Sequence, residues 1–387
     1  MNKLVIVSHV IHYSWQEKIW AYGPYLKEIE IWADLFPEVV IASPLREEKP
    51  PDDNLFFTKK NIYIAPQIER GGDSLLDKFW QIISLDVMVI TLLKVLIKAD
   101  VIHVRCPGNL GLLGVILSPL LSKKRIAKYA GQWNGFEGET IANKLQRSIL
   151  KSKWWNSPVT VYGDWPDQPK HVIPFFTSMM TLEQVNTAKA IANNRSFNFS
   201  NFKVLFSGRL TNVKRVDVVL QSFSSFNAIY RNSELVILGD GPLKEDLIKM
   251  SKELNLENYV KFVGALPYNE ALNWFKWADC LLLPSQHSEG WPKVIAEAMC
   301  YGVVCIAVDH GQVAKMLDGR GIILHQGSYE EITDALAFAQ INESWAAQIA
   351  KEASDWSCQY SLEELKNALA NLMDSYWGTN IFKNRLS

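Results

Sequence analysis

Short apolar runs recur along the chain at intervals that leave room for a helix between most of them. In the first half they fall at Leu4 to Val10, Val39 to Ser43, Asn61 to Ala65, Val101 to Arg105, Arg125 to Ala130 and Val159 to Tyr162. A parallel strand connection must travel back along the sheet face, so this alternation predicts parallel strands joined by crossover helices. From Phe202 the pattern restarts with Val204 to Ser207, Leu235 to Leu238, Val260 to Val263, Cys280 to Leu283, Val303 to Val308 and Ile322 to Leu324. Two α/β domains follow. The polar stretch Asn193 to Asn201 has linker composition, which sets the expected domains at residues 1–190 and 191–361. The chain closes with two helical patterns, Glu343 to Asp355 and Leu362 to Trp377, the second opening on a Ser361-x-x-Glu364 capping box.

The apolar run at the amino end gives way to His12, Trp15, Gln16 and Glu17 without a small-residue cleavage pattern, so it reads as a first buried strand. Between Phe79 and Ile97, Gln81, Asp86 and Lys94 break an apolar stretch below the length a spanning helix needs. A buried or interfacial helix is expected there. Over 387 residues the hydrophobic share is 48% and the charged share 21%, which sets disorder aside. A net charge of -1 argues against a surface built to grip nucleic acid. The five cysteines form no C-x-x-C pair and sit mostly in apolar runs, as expected of buried thiols in the cytoplasm.

The most informative segment follows the Cys280 to Leu283 run: Ser288-Glu289-Gly290-Trp291-Pro292-Lys293-Val294, leading to Glu297. Pro292 suits a first helical turn, so the helix is expected to start around Trp291. Trp291, Val294, Ile295, Ala298 and Met299 then share a face, with Glu297 on its flank and Glu289 in the loop. Free N–H groups at a helix N-terminus suit a diphosphate, and carboxylates beside it suit sugar hydroxyls. The other reading makes Glu289 a dipole-compensating residue and Glu297 a solvated one.

A second segment, Ser207-Gly208-Arg209-Leu210, ends the first strand of the second domain and is followed by Lys214. Arg209 and Lys214 thus stand where open parallel sheets bind ligands, and their guanidinium and ammonium fit a phosphate pair and the charge of a departing nucleoside diphosphate. Gly239-Asp240-Gly241-Pro242 turns tightly after the next strand. It does not complete G-x-G-x-x-G, because Lys244 stands where the third glycine would be. With no Asp-x-Asp pair and no His/Cys cluster of ligand spacing, neither a metal nor another cofactor is expected.

Taken in order, Ser207-Gly208-Arg209-Leu210 with Lys214, Gly239-Asp240-Gly241-Pro242 and the Glu289-x7-Glu297 pair resemble the retaining GT-B glycosyltransferases of family 4, over roughly residues 202–340. The resemblance implies two Rossmann-like α/β domains facing each other across a cleft, with the last helix, about 362–387, crossing back onto the first. It implies a nucleotide-sugar donor held by the second domain: Arg209 and Lys214 on the diphosphate, Glu297 on the ribose, and Glu289 with Ser288, Gly290, Trp291, Pro292 and Val294 around the donor sugar. Gly239, Gly241 and Pro242 complete the donor site, with Glu289, Arg209 and Lys214 as its catalytic residues. Transfer would retain anomeric configuration without a metal, the leaving phosphate helping to deprotonate the acceptor. The chain departs from the family in its long aromatic stretch from His12 to Tyr22 before Gly23-Pro24. It departs again at Ala130-Gly131-Gln132-Trp133, where many members carry a histidine.

Between Lys94 and Lys170 there are twelve Lys/Arg against five Asp/Glu. Lys144, Arg147, Lys151 and Lys153 interleave there with Leu145, Ile149, Leu150, Trp154 and Trp155, a composition suited to anionic headgroups. The expected partners are a nucleotide-sugar donor, a saccharide or lipid-linked acceptor and the inner face of the cytoplasmic membrane. Two other readings are a catalytically silent sugar-nucleotide-binding protein and an epimerase or hydrolase of the same shape.

Overall fold

A computed structural model describes residues 2–69, 83–121, 123–135, 139–197, 200–286 and 290–378. The chain divides into two compact units, Met1–Met179 with Leu362–Ser387, and Met180–Ser361.

The first unit opens with β1 (Lys3–Val7), β2 (His12–Trp15), β3 (Lys18–Tyr22), α1 (Gly23–Leu35) and β4 (Glu38–Ser43). Next come β5 (Leu45–Arg46), β6 (Asn54–Phe56), β7 (Ile62–Pro66), α2 (Leu85–Leu96), β8 (Val101–Cys106) and α3 (Asn109–Leu117). It continues with β9 (Lys124–Tyr129), α4 (Ile141–Lys151), β10 (Val159–Tyr162) and β11 (Val172–Phe175). Seven strands form a parallel sheet in the order β11-β10-β9-β8-β1-β4-β7. Its central strands are buried on both faces, which is why they read as unbroken apolar runs.

The aromatic stretch His12 to Tyr22 is not a loop. It folds into the antiparallel hairpin β2–β3, which β5 and β6 extend into a four-stranded sheet.

Helix α2 buries Met88, Leu92 and Leu96 and leaves Val87 and Ile90 exposed. Among the described residues no helix is long and apolar enough to cross a membrane. Helix α4 begins at Thr140, whose hydroxyl accepts the Asn143 N–H at 3.3 Å. Its basic face differs from the expected one. Leu150 and Trp155 lie in the core, and the Arg147 guanidinium is paired with Glu139. Lys144, Lys153, Ile141, Leu145 and Trp154 are the exposed members.

The second unit contains α5 (Leu182–Asn193), β12 (Phe202–Ser207), α6 (Val216–Ile229), β13 (Ser233–Leu238), α7 (Lys244–Glu253) and β14 (Val260–Gly264). It goes on through α8 (Tyr268–Trp277), β15 (Cys280–Leu283), α9 (Lys293–Cys300), β16 (Val304–Val308), α10 (Val313–Leu317) and β17 (Ile322–Leu324). Helices α11 (Tyr329–Ile341) and α12 (Glu343–Ser357) close it. Its parallel sheet runs β14-β13-β12-β15-β16-β17.

The division at Met179/Met180 precedes the expected one near residue 190. Helix α5 buries Val185 and Ala188 in the core of the second unit. Arg195, in the presumed linker, donates to the carbonyls of Tyr301, Ala278 and Phe275 at 3.0, 2.6 and 2.9 Å. The polar stretch is thus fastened to the second unit, its charge spent on backbone oxygens.

The last helix, α13 (Leu362–Trp377), belongs to the first unit. Leu365, Leu369 and Met373 share a buried cluster with Leu26 and Ile29 of α1, and Lys366 donates to Asp34 at 3.0 Å.

Candidate functional site

In the second unit the chain leaves β12 for β13 and β14 on one side, then returns to β15 on the other. The winding reverses between β12 and β15, and a parallel sheet of this kind offers a crevice at the carboxyl ends of those strands. Backbone hydrogen bonds fix the loops there. Gly208 N–H donates to Leu238 O at 2.9 Å, Leu210 N–H to Asp240 O at 2.9 Å, and Gln286 N–H to Val213 O at 2.8 Å.

The approach of the first two loops excludes side chains. A Cβ on Gly239, whose φ is +142°, would stand 1.9 Å from Gly208 O, and one on Gly241 would stand 2.4 Å from Leu210 O. Both glycines are therefore required by backbone-to-backbone packing, and the edge they build is close-set and firm. Pro242 is exposed beside them.

Arg209 is exposed on the first of these loops. Lys214 ends a short 3-10 turn, Asn212–Lys214, and is half-buried. Its Cε lies 3.9 Å from where a Gly208 Cβ would stand, so its stem runs along the glycine and burial lowers its pKa. Arg215, in the left-handed region at φ 52°, donates to Gln326 O at 3.0 Å and ties this loop to the one after β17.

Helix α9 begins two residues later than expected, at Lys293. Pro292 is its N-cap rather than a first-turn residue, and its carbonyl accepts the N–H groups of Ile295 and Ala296 at 3.0 and 3.4 Å. Pro292 offers no capping side chain, and the N–H groups of Lys293 and Val294 lie ahead of any intrahelical acceptor. Ser288 and Glu289 lie outside the described residues. Gly290 is half-buried. The Trp291 ring turns into the protein, stacked on Trp356 at 6.0 Å and set edge-on to Tyr360 at 5.2 Å. This aromatic cluster pins the entry to α9. Val294 is half-buried and packs against the same core.

Glu297 is buried rather than solvated. The Tyr268 hydroxyl, from the first turn of α8, donates to its Oε1 at 2.9 Å. Burial raises the carboxyl to about 7, against the smaller opposing effects of that hydrogen bond and of the Lys293 ammonium. Tyr268 was not legible as a partner. Its only signal was a phenol placed directly after Pro267 at the start of a helix.

Unfolded, Glu297 loses its proton near 4.5; folded, it does so only near 7. The folded state binds more protons in that window, so stability falls as pH rises through it. Glu297→Gln is expected to match the wild type near pH 4 and to exceed it by roughly 3 kcal/mol at pH 8, read by urea denaturation at both pH values.

The carboxyl edge of this sheet carries two basic side chains, the N-terminus of α9, which Pro292 does not cap, and a buried carboxyl. It can hold an anion at the first three and accept hydroxyl protons at the last.

Residues 189–356 match the sequence profile of the family described as Glycosyl transferases group 1. A Haemophilus influenzae protein named an uncharacterized glycosyltransferase is 26% identical over 183 residues, covering 46% of this chain and 51% of that protein. The alpha-monoglucosyldiacylglycerol synthase of Acholeplasma laidlawii is 23% identical over 299 residues, 69% of this chain and 73% of that one. The chain spans about half or less of the length of the Haemophilus protein and others matched at its level. In structure, Anabaena HepE in complex with UDP and glucose matches 97% of this chain and all of its own, with a TM-score of 0.69 at 14% identity. The fold is GT-B, and the matched stretch lies inside the second of its two Rossmann-like units.

Proposed function

We propose that the chain is a retaining, metal-independent glycosyltransferase of family 4. It moves a hexose from a nucleotide-sugar donor to a saccharide or lipid-linked acceptor in the synthesis of cell-surface polysaccharide or glycoconjugate. The observation that carries this reading is the glycine-locked edge bearing Arg209 and Lys214 at the carboxyl end of β12, where Val213 O accepts the Gln286 N–H of the segment ahead of α9 at 2.8 Å and Glu297 stands one turn along that helix.

Arg209, Lys214 and the N–H groups of Lys293 and Val294 hold the donor diphosphate. The Glu297 carboxyl accepts hydrogen bonds from the ribose hydroxyls, and Ser288, Glu289 and Gly290 contact the donor sugar. The bond from the anomeric carbon to the β-phosphate oxygen breaks, and the acceptor oxygen bonds to that carbon on the same face. The acceptor proton passes to the departing phosphate, whose charge the two basic side chains stabilise. HepE, of the same fold, was crystallised with UDP and glucose, and the Acholeplasma relative is named for a lipid product. The first supports a nucleotide-sugar donor, and the second supports a lipid-linked acceptor. The protein is cytoplasmic and rests peripherally on the inner membrane face through Ile141, Leu145 and Trp154, with Lys144 and Lys153 towards the headgroups.

The test is a panel of UDP-, GDP- and ADP-hexoses incubated with the full chain in EDTA. One donor is expected to raise the melting temperature and to be hydrolysed slowly, releasing the sugar with its anomeric configuration retained by proton NMR. Silence across the panel, with and without divalent cations, would refute the reading.

A further inference from the structure

The hairpin β2–β3 and the short strands β5 and β6 lie outside the parallel sheet of the first unit. They occupy two connections, from β1 to α1 and from β4 to β7, and both leave the carboxyl ends of parallel strands. In that unit too the winding reverses beside β1, which has β4 on one side and β8 on the other. The small sheet therefore stands at the ligand-binding edge of its own domain.

Its two faces differ in kind. His12, Ala21 and Phe57 turn inward, His12 lying edge-on to Tyr25 at 5.4 Å and stacked on Phe57 at 5.9 Å. That face supplies the core contact. On the other face, register places Tyr13, Trp20 and Phe56 in one row across three strands, with Trp15 opposite Lys18 in the next row. Residues directly opposite in an antiparallel pair share a face, as do alternate residues along a strand. Tyr13 is buried and Trp20 half-buried, while Trp15 is 39% exposed and Phe56 37%, so the wet side of this face carries Trp15 and Phe56, with Trp20 open in part.

The rings are held in place. The Trp20 indole N–H donates to Trp15 O at 3.2 Å, Trp20 meets Phe56 edge-on at 5.2 Å, and the Lys18 ammonium sits 3.9 Å from the Phe56 centroid. Fixed aromatic faces lower the ordering cost of a ligand that stacks on them. The charges at the rim are of both signs: Glu17 adjoins Lys18, and Asp52 and Asp53 precede Asn54. Such a rim offers no attraction to an anionic bilayer, whereas mixed donors and acceptors suit the hydroxyls of a neutral sugar chain. A pyranose ring carries apolar C–H groups on its face and hydroxyls around its edge, and flat rings bordered by polar groups complement both.

We propose that the exposed face of this sheet, built on Trp15, Trp20 and Phe56, is a stacking platform for the sugar rings of a saccharide acceptor. The term acceptor rests on the glycosyl-transfer reading; the saccharide contact does not.

The test is retention of the full chain on immobilised oligosaccharides of glucose, galactose, mannose and N-acetylglucosamine. At least one is expected to retain the wild type. Trp15→Ala and Phe56→Ala should each weaken that binding about tenfold, with Trp15→Phe recovering most of it. Tyr63→Ala, an exposed ring elsewhere on the same unit, should leave it unchanged. Equal retention of the wild type and both alanine variants overturns the platform, as does a wild type that no oligosaccharide retains. Flotation with phosphatidylcholine or phosphatidylglycerol vesicles that is lost in the same variants would assign the rings to a membrane instead, and also overturns it. Wild-type nucleotide-sugar hydrolysis is measured separately. Its absence beside intact oligosaccharide retention removes the transfer reading and leaves the platform standing.

Discussion

Lys214→Ala and Arg209→Ala are each expected to lower nucleotide-sugar turnover by about 10²–10³-fold, the usual effect of removing one preorganised group that stabilises developing charge. The scissile step leaves a diphosphate whose new charge must be met within a fixed site. At this edge the fixing is done by the backbone: the loop bearing Arg209 is bonded to the Gly239–Gly241 loop, and neither glycine has room for a Cβ. Lys214→Arg should not restore activity. The ammonium stem runs along Gly208, and a longer planar group has a different reach and fork. The melting temperature should stay within about 2 °C for both alanine variants, since Arg209 is exposed and burial already disfavours the Lys214 charge. Turnover and melting are read on the same preparations. Full activity in both variants would remove them from the donor site, and a collapsed melting curve would make the loss structural.

How much of this was legible in the sequence depends on what each residue's role rests on. The parallel strands were readable because double-sided burial writes itself as an apolar run, and Val101–Cys106 is buried throughout. Arg209 and Lys214 were singled out by their place at a strand end, which a βα unit fixes within a few residues, and Glu297 by its position on the helix that follows the Cys280 to Leu283 run. The small sheet was not readable. Its two- and three-residue strands give too short a period, and its exposed face carries rings where alternation would expect polar residues. Partnership across the fold was equally hidden. Tyr268 and Glu297 stand on different helices, and Arg195 reaches carbonyls far along the chain, so composition made a linker of a fastened segment. Trp155 and Trp154 are neighbours in sequence, yet one is core and the other surface. The difference lies in which of them the turn after α4 points inward.

The largest expected loss of stability comes from a group that neither the sequence motifs nor the proposed donor site uses. Glu28, on α1, is buried between Arg105 of β8 and Lys128 of β9, which donate to its two oxygens at 2.6 and 2.7 Å. Arg105 and Lys128 are registered neighbours on adjacent strands, so one carboxylate spans two cations near the carboxyl ends of the sheet. Although burial opposes its charge, the two cations hold the Glu28 carboxyl far below the usual carboxylate range. Burial and Arg105 together lower the Lys128 ammonium, and Glu28 only partly offsets them. Glu28→Gln keeps the shape and leaves two buried cations facing each other. Such a break is expected to cost about 3–5 kcal/mol, measured by urea denaturation at pH 7. The pH dependence identifies the cause. In the wild type the contribution of Glu28 is present above the unfolded value of 4.5 and is lost only as the pH falls through the depressed folded value. In the variant the Lys128 pKa drops further, so the folded state sheds that proton before the unfolded state does near 10.5. Stability of Glu28→Gln should therefore rise with pH over the alkaline range and narrow its gap to the wild type. A gap of constant size from pH 6 to pH 10 would mean that lost packing, rather than the stranded charges, is responsible.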